Sequence, residues 1–586
     1  MIPLESLRCH FTIVTFCNSK WSSFVVVLFD DVQDPAHYVL LHDFYASLSR
    51  INLMRFENED TFRKFLKSNK ESGFHKKYND AIEHIKSQFG KKYPLLIDGK
   101  YVRSVNLFEH TSPLDIRIVL GYFPKGNLKQ VNSAITSASK TFEIWRKTDY
   151  QKRLKIFASA AEIIVAKKFE LSAWITFESG KNRFEAMSDI DEAIDFIRYY
   201  STEMELNKGY IVGTKSARPG ERSKSVMKPY GVWGVISPFN FPAALTIGMC
   251  TGALVTGNAV VLKPASDTPI VGYLFTEIMM QAGLPRGALN FVTGSGNTVG
   301  NAIVQSRMVA GIAFTGSKAV GDRILDESSK MKSRIVIAEM GGKNPVIVTA
   351  NADVDDAVEG TIQAAFGYSG QKCSASSRVY VHKNIKQIFT ERLIQRTNEL
   401  SVGNPTDAKT FMGPLINSAA YVKYQGYSKL ARRHGKVLVG GKIKIGGDLK
   451  YGFFVEPLVV EGLSKDNRLL KEELFVPILC IAEYSELDKA VQQCNKSEYG
   501  LTAGIYSNNK HEIEAFLQDI QAGVVYINRA SGATTGAMVG CQSFGGWKSS
   551  GTTGKGTGGS YYLSQFLKEQ SQTIVVKGSE HRKKNY

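Results

Sequence analysis

Val232-Trp233-Gly234-Val235-Ile236-Ser237-Pro238-Phe239-Asn240-Phe241-Pro242 decides how the chain is read. The first five residues carry no charge and suit a strand buried on both faces; a serine and two prolines then stop it. An apolar helix near Ala243–Val255 follows, then the strand-like Ala259-Val260-Val261-Leu262. The alternation continues with a helix near Ile270–Ala282, a strand at Asn290-Phe291-Val292, a helix near Val299–Ser306, a strand at Gly311-Ile312-Ala313-Phe314 and a helix near Ala319–Lys330. Short apolar strands alternating with helices predict a parallel sheet covered on both faces, the doubly wound α/β pattern of nucleotide-binding domains. From about residue 345 the alternation restarts, which predicts a second α/β lobe.

Working outward, residues 130–182 read as two amphipathic helices, the second around Leu154–Trp174, and Glu57 to Phe89 carries a charged helical pattern with Phe62, Phe65 and Leu66 at apolar positions. Residues 213–225, with Arg218-Pro219-Gly220, read as a linker or a hairpin, and 551–559 (Gly-Thr-Thr-Gly-Lys-Gly-Thr-Gly-Gly) as a flexible loop. Residues 1–53 differ from the rest: they hold only Arg8, Lys20 and Arg50 of the 73 basic residues. This shift predicts that translation starts at Met54 and that residues 1–53 come from an over-extended reading frame. The alternative is a genuine extension with a targeting role.

The 586 residues carry a formal net charge of +18, with 43% apolar and 22% charged side chains. That balance is ordinary for a globular protein and excludes a disordered, collagen-like or disulfide-scaffold chain. No apolar run approaches the roughly 18 residues that cross a bilayer, so no membrane partner is expected. A positive chain attracts phosphate without specifying a nucleic acid. The basic residues are spread out apart from His581-Arg582-Lys583-Lys584, and no RNP-like or zinc-finger spacing occurs, so no nucleic-acid partner is expected. Seven cysteines without a CxxC imply free thiols in a reducing compartment. The histidines form no HxxxH or Cys/His cluster, and no metal site is expected.

Four places carry candidate chemistry. Cys373, in Gly370-Gln371-Lys372-Cys373-Ser374-Ala375, sits in polar, glycine-containing surroundings; it is either a buried small hydrophobe or a nucleophile. Glu339 follows the strand Arg334–Ala338 and precedes Gly341 and Gly342. It is either a surface carboxylate or a group at the strand edge where α/β proteins place their sites. Asn240, between Pro238 and Pro242, is either turn chemistry or an amide donor to an oxyanion. The fourth is a glycine set: Gly294-Ser295-Gly296-Asn297-Thr298-Val299-Gly300 misses the GxGxxG spacing by one residue, while Phe314-Thr315-Gly316-Ser317 joins a strand to a helix, where backbone N–H groups can face phosphate. Lys263, before Pro264-Ala265-Ser266, either bonds ribose or phosphate oxygens or is merely solvated.

Pro238–Pro242, Lys263-Pro264-Ala265, Phe314–Ser317, Glu339–Lys343, Gly370–Cys373, Glu473-Leu474-Phe475 and Phe544-Gly545-Gly546, in this order, resemble the aldehyde dehydrogenase superfamily. The resemblance runs from about Tyr93-Pro94-Leu95 to the end. Within it, Gly370–Ala375, Phe453-Phe454-Val455-Glu456-Pro457 and Thr535-Gly536-Ala537-Met538-Val539-Gly540 resemble the monofunctional 1-pyrroline-5-carboxylate dehydrogenase branch. Val476, Ser376 and Ser266 depart from the usual Gly, Cys and Glu of the family.

The resemblance implies the aldehyde dehydrogenase fold: a Rossmann-like NAD-binding domain at 111–339, an α/β catalytic domain at 340–547 and a small β oligomerisation flap built from 209–228 and 548–586, after a helical arm at 54–110. It implies Cys373 as nucleophile, Glu339 as general base and Asn240 as oxyanion donor. It implies NAD as cofactor, with NADP left open, held by Ser237, Phe239, Lys263, Gly296, Phe314, Gly316, Ser317, Val320, Glu473 and Phe475. Ser374, Gly536, Ala537 and Phe544 would hold the substrate. The implied reaction is oxidation of L-glutamate γ-semialdehyde, with another short semialdehyde such as succinate semialdehyde as the alternative. A dimer-based homo-oligomer is implied, in the cytoplasm or, in a eukaryote, the mitochondrial matrix.

Overall fold

The computed structural model describes residues 12–15, 25–28, 56–331, 334–530 and 538–575. Met54, Gly536 and Ala537, on which sequence expectations rest, lie outside the described residues. The chain divides into two units, Met1–Arg55 and Phe56–Tyr586. In the first, Thr12–Thr15 and Val25–Leu28 pair as antiparallel strands.

The second unit is built around two seven-stranded sheets. In the first sheet the strand order is 335–339, 309–315, 232–236, 259–263, 289–291, 95–97, 100–102. Val232–Ile236 lies between Ala259–Lys263 and Val309–Thr315, parallel to both. The chain first builds outward on one side of Val232–Ile236 and then on the other. The order therefore reverses there, and a crevice opens at the carboxyl ends of these strands. The alternation read from the sequence is present, with helices at Ala244–Val255, Ile270–Gln281 and Lys318–Ser329. Leu95–Ile97 and Lys100–Val102 complete this sheet in antiparallel fashion, although the sequence placed them with the amino-terminal arm.

The second sheet runs 436–440, 458–461, 478–484, 376–382, 344–348, 502–506, 524–527 and is parallel except for Lys436–Gly440. Ile211–Thr214, Glu221–Pro229 and Leu567–Val575 form a three-stranded antiparallel sheet, so residues 213–225 are a hairpin.

The two helices read over 130–182 are Leu128–Trp145 and Tyr150–Ser179, and a third, Arg183–Leu206, follows them. Their boundaries follow local chemistry. Asn127 and Gln130 form a reciprocal capping box, Asp149 and Asn182 cap the next two helices, and Gly180 closes the second at φ 80°. The pattern from Glu57 to Phe89 is also two helices, Thr61–Lys67 and Glu71–Lys86. Asn69, with φ 53°, sits in the break between them.

The stretch 551–559 is pinned rather than free at its start. The Thr552 hydroxyl accepts from Ala338 N at 3.0 Å and donates to Val336 O at 2.8 Å. Ser550 Oγ donates to Gly341 O at 2.7 Å. Glycine-rich composition hid a strap across the strand that carries Glu339.

Candidate active site

The two sheets deliver their chemistry to one place. Glu339 is the last residue of the strand Ile335–Glu339 in the first sheet. Cys373 stands three residues before the strand Ser376–His382 in the second. The Cys373 thiol donates to Glu339 Oε1 at 3.2 Å. Desolvation pushes the Glu339 carboxyl up to about 7, partly offset by that hydrogen bond. Desolvation also pushes the Cys373 thiol well up, and the charges of Glu339 and Glu473 push it further. A hydrogen bond from the Ser374 backbone works the other way. A carboxyl poised near neutrality beside a thiol is the arrangement of a base and its nucleophile.

The loop before Cys373 is held in an unusual backbone. Tyr368, Ser369 and Gly370 all have positive φ, at 47°, 54° and 69°. Such strain persists only where surroundings enforce it. The Tyr368 hydroxyl donates to Ser179 O at 2.9 Å, Ser369 Oγ donates to Gly413 O at 2.7 Å, and Ile416 N donates to Gln371 Oε1 at 2.8 Å. Asn240 is buried, and its Nδ2 donates to Gln371 O at 3.1 Å, two residues from Cys373. One amide hydrogen is thus used to fix the side chain, and the other remains for a second acceptor. Lys372 is paired with Glu185 at 3.0 Å.

Other predicted residues gather around this centre. Glu473 Oε1 accepts from Gly342 N at 3.0 Å, and desolvation pushes its carboxyl up to about 7. The Phe239 and Phe475 rings meet edge to face, 5.7 Å apart. Ser374 is buried and its carbonyl accepts from Thr502 Oγ1 at 3.3 Å. Phe544 packs with Leu501 and Val524 in a small apolar cluster that touches Cys373. Phe314, Glu339 and Phe544 line one cavity with the strap 551–555.

Lys263, Gly296 and Val320 line a separate pocket with Ile236 and Arg323, at the crevice where the strand order reverses. Lys263 is buried, and desolvation lowers its ammonium to about 8. Its Nζ donates to Pro264 O at 2.9 Å, which uses one of three hydrogens. Gly316 N donates to Glu339 O at 3.1 Å, and Ser317 stands at the amino end of the helix Lys318–Ser329 without a side-chain cap. Ser237 Oγ accepts from Thr246 at 2.8 Å. A cationic pocket and an uncapped helix start on one side, and a carboxylate beside the thiol on the other, fit an extended dinucleotide.

The sequence reading missed Asn344. It is buried at the start of the strand Asn344–Val348, and its Nδ2 donates to Cys373 O at 2.7 Å and to Ala375 O at 2.9 Å. Its only signal was its place directly after the Glu339–Lys343 motif.

The family model described as aldehyde dehydrogenase family matches residues 101–572. The chain belongs to the aldehyde dehydrogenase family. It is 38% identical over 505 residues to 1-pyrroline-5-carboxylate dehydrogenase 1 of Halalkalibacterium halodurans, covering 85% of this chain and 96% of the relative. It is 38% identical over 500 residues to 1-pyrroline-5-carboxylate dehydrogenase of Geobacillus thermodenitrificans, covering 84% and 95%. The solved structure of a Thermus 1-pyrroline-5-carboxylate dehydrogenase with bound NAD superposes with a TM-score of 0.82 at 34% identity, over 85% of this chain and 96% of that one. This aldehyde dehydrogenase therefore has the fold that the sequence motifs implied. No helix among the described residues is long and apolar enough to cross a membrane.

Proposed function

We propose that this aldehyde dehydrogenase oxidises L-glutamate γ-semialdehyde, the ring-opened form of 1-pyrroline-5-carboxylate, to L-glutamate with NAD. The observation that carries the chemistry is the Cys373 thiol hydrogen-bonded to Glu339 at 3.2 Å where two sheets meet. The likeness in sequence to dehydrogenases of 1-pyrroline-5-carboxylate, over 85% of the chain, supports the substrate.

Cys373 gives its proton to Glu339 and its sulfur attacks the aldehyde carbon. The free hydrogen of the Asn240 amide and the Cys373 backbone N–H hold the oxyanion of the resulting thiohemiacetal. One such donor is typically worth about 10²–10³ in rate. Bound NAD would supply the hydride acceptor, and loss of hydride leaves the thiohemiacetal on Cys373 as a thioester. Glu473 would hold the nicotinamide ribose and Lys263 the adenosine ribose, with Ser237, Phe239, Gly296, Phe314, Gly316, Ser317, Val320 and Phe475 as the other cofactor contacts. Glu339, having passed the first proton to solvent, then takes a proton from water as the water oxygen attacks the thioester carbon; the C–S bond breaks, glutamate is released, and the proton on Glu339 returns to the leaving thiolate as the free thiol.

Ser374 and the backbone N–H groups of Gly536 and Ala537 are assigned to the substrate α-carboxylate, and Phe544 to its methylene chain. Small residues at 536 and 537 let backbone approach an anion closely. The two seven-stranded sheets and the small third one support a division into an NAD-binding domain at 111–339, a catalytic domain at 340–547 and a flap, with residues 95–102 of the arm joining the first sheet. Ile211, Val212, Ile574 and Val575 of that third sheet are exposed, which supports assembly of copies of this chain through it. Free thiols support a reducing cytoplasmic setting. The test is incubation of the purified protein with pyrroline-5-carboxylate and NAD, with the product identified by mass. Glutamate formed in step with NADH supports the reading, and NADH without glutamate refutes it.

A further inference from the structure

Between the helices Tyr150–Ser179 and Arg183–Leu206 lies a short break, and its middle residue, Lys181, is buried. A buried ammonium is costly unless it is paired. Lys181 Nζ stands 3.0 Å from Asp189 Oδ2, and the two side chains are 1% and 0% exposed. A fold can often replace such a pair by apolar residues at no cost in stability. The consequence of keeping it lies in what else the two groups touch.

Asp189 Oδ1 accepts from Ala244 N at 2.8 Å. The helix Ala244–Val255 has no side-chain cap of its own. The carboxylate thus supplies, from another helix, the acceptor that a capping residue would provide. Lys181 Nζ lies 3.7 Å from the centroid of the Phe241 ring and 5.2 Å from that of Tyr368, both within reach of cation–π attraction. Phe241 directly follows Asn240, and its carbonyl accepts from Leu245 N at 3.2 Å as the helix begins. Tyr368 belongs to the strained loop before Cys373, and its hydroxyl ends on Ser179 O at 2.9 Å, two residues before Lys181. The pair therefore grips the Asn240 turn at Phe241 and Ala244 and meets the nucleophile loop at Tyr368. Glu185, one turn before Asp189 on the same helix face, ties the same loop through Lys372 at 3.0 Å. The turn and the loop join where Asn240 Nδ2 donates to Gln371 O at 3.1 Å. Hydrogen bonds weaken steeply when misaligned, so the aim of the second Asn240 amide hydrogen depends on how the turn is held.

We propose that Lys181 and Asp189 are positioning residues for the oxyanion donor: their ion pair holds the Asn240 turn against the nucleophile loop. Both are closed off from solvent and act through Phe241 and Ala244. The role rests on the oxyanion function proposed for Asn240, and it does not depend on which aldehyde is oxidised.

The test is a mutant cycle on the full chain, reading kcat for propanal at saturating NAD. Lys181→Met combined with Asp189→Leu removes both charges together and leaves no buried charge alone, which a fold tolerates. Asp189→Asn keeps the side-chain shape and an oxygen for Ala244 N, and it covers the case in which the double variant does not fold. In a folded variant kcat falls by about tenfold to a hundredfold, inside the 10²–10³ range that one oxyanion donor is typically worth. Affinity for NAD, read by calorimetry, stays within about twofold. Added to Asn240→Ala, the same substitutions change kcat by less than about twofold, because no donor is left to aim. A kcat within about twofold of native in the folded variant overturns the proposal. A loss as large in the Asn240→Ala background as in the native one overturns it too, because the pair would then act elsewhere. Asn240→Ala that by itself stays within about twofold of native refutes the oxyanion assignment, and the proposal with it.

Discussion

The pH dependence of turnover should belong to Glu339. Its carboxyl is raised from 4.5 to about 7 by desolvation, and it acts as a base only when ionised. The sign follows: activity is present above about pH 7 and is lost as pH falls through it. At one unit below the midpoint only about a tenth of the carboxyl is ionised, so the rate at pH 6 should be about a tenth of the plateau. A glutamate left at its ordinary value would be almost fully ionised there, and the rate would be flat. The assay is the maximal rate of NADH formation at saturating cofactor, with a simple aliphatic aldehyde so that ring opening of pyrroline-5-carboxylate does not contribute. Glu339→Gln keeps the shape and removes the base, and should cost about 10²–10⁴ in rate. Glu473 is also raised to about 7, so Glu473→Gln is the control, and the limb should survive in it. A native rate that is flat between pH 6 and 7, or a Glu339→Gln variant within tenfold of native, would refute the assignment.

Other outcomes follow from the same geometry. Cys373→Ala should abolish turnover while NAD still binds, read by calorimetry. Asn240→Ala should lower the maximal rate by about 10²–10³ with little change in NAD affinity. Lys181 and Asp189 form a buried ion pair at 3.0 Å, and Asp189 also accepts from Ala244 N at 2.8 Å, just after the Asn240 turn. Lys181→Met leaves Asp189 uncompensated and should destabilise the protein by about 3–5 kcal/mol in denaturant unfolding.

Much of this was legible before any coordinates. The uninterrupted apolar strands from Val232 to Phe314 could only belong to a sheet covered on both faces, and their spacing left room for one helix between each pair. Their glycine and polar neighbours made Cys373 and Glu339 candidates and left each open; the ordered set of motifs that resembles the aldehyde dehydrogenases singled them out. What the sequence hid was long-range. Nothing local says that Asn344 reaches across to Cys373 and Ala375, because its partners are backbone carbonyls and leave no side-chain signature. The strap 551–559 misled for the same reason: glycines announce turns and freedom, whereas Ser550 and Thr552 supply the hydrogen bonds that pin it. The two helices read over 130–182 are there, whereas Arg183–Leu206 went unread: a left-handed cap at Gly180 ends one helix and Asn182 caps the next within three residues.

The most direct test of the substrate is NADH formation by the purified protein with pyrroline-5-carboxylate and with succinate semialdehyde at equal concentration. Charge-assisted hydrogen bonds to an α-carboxylate are worth about 1.5–3 kcal/mol each, so two of them predict a kcat/KM at least about a hundredfold higher for pyrroline-5-carboxylate. An equal or higher kcat/KM for succinate semialdehyde would contradict the account of specificity while leaving the Cys373 chemistry in place.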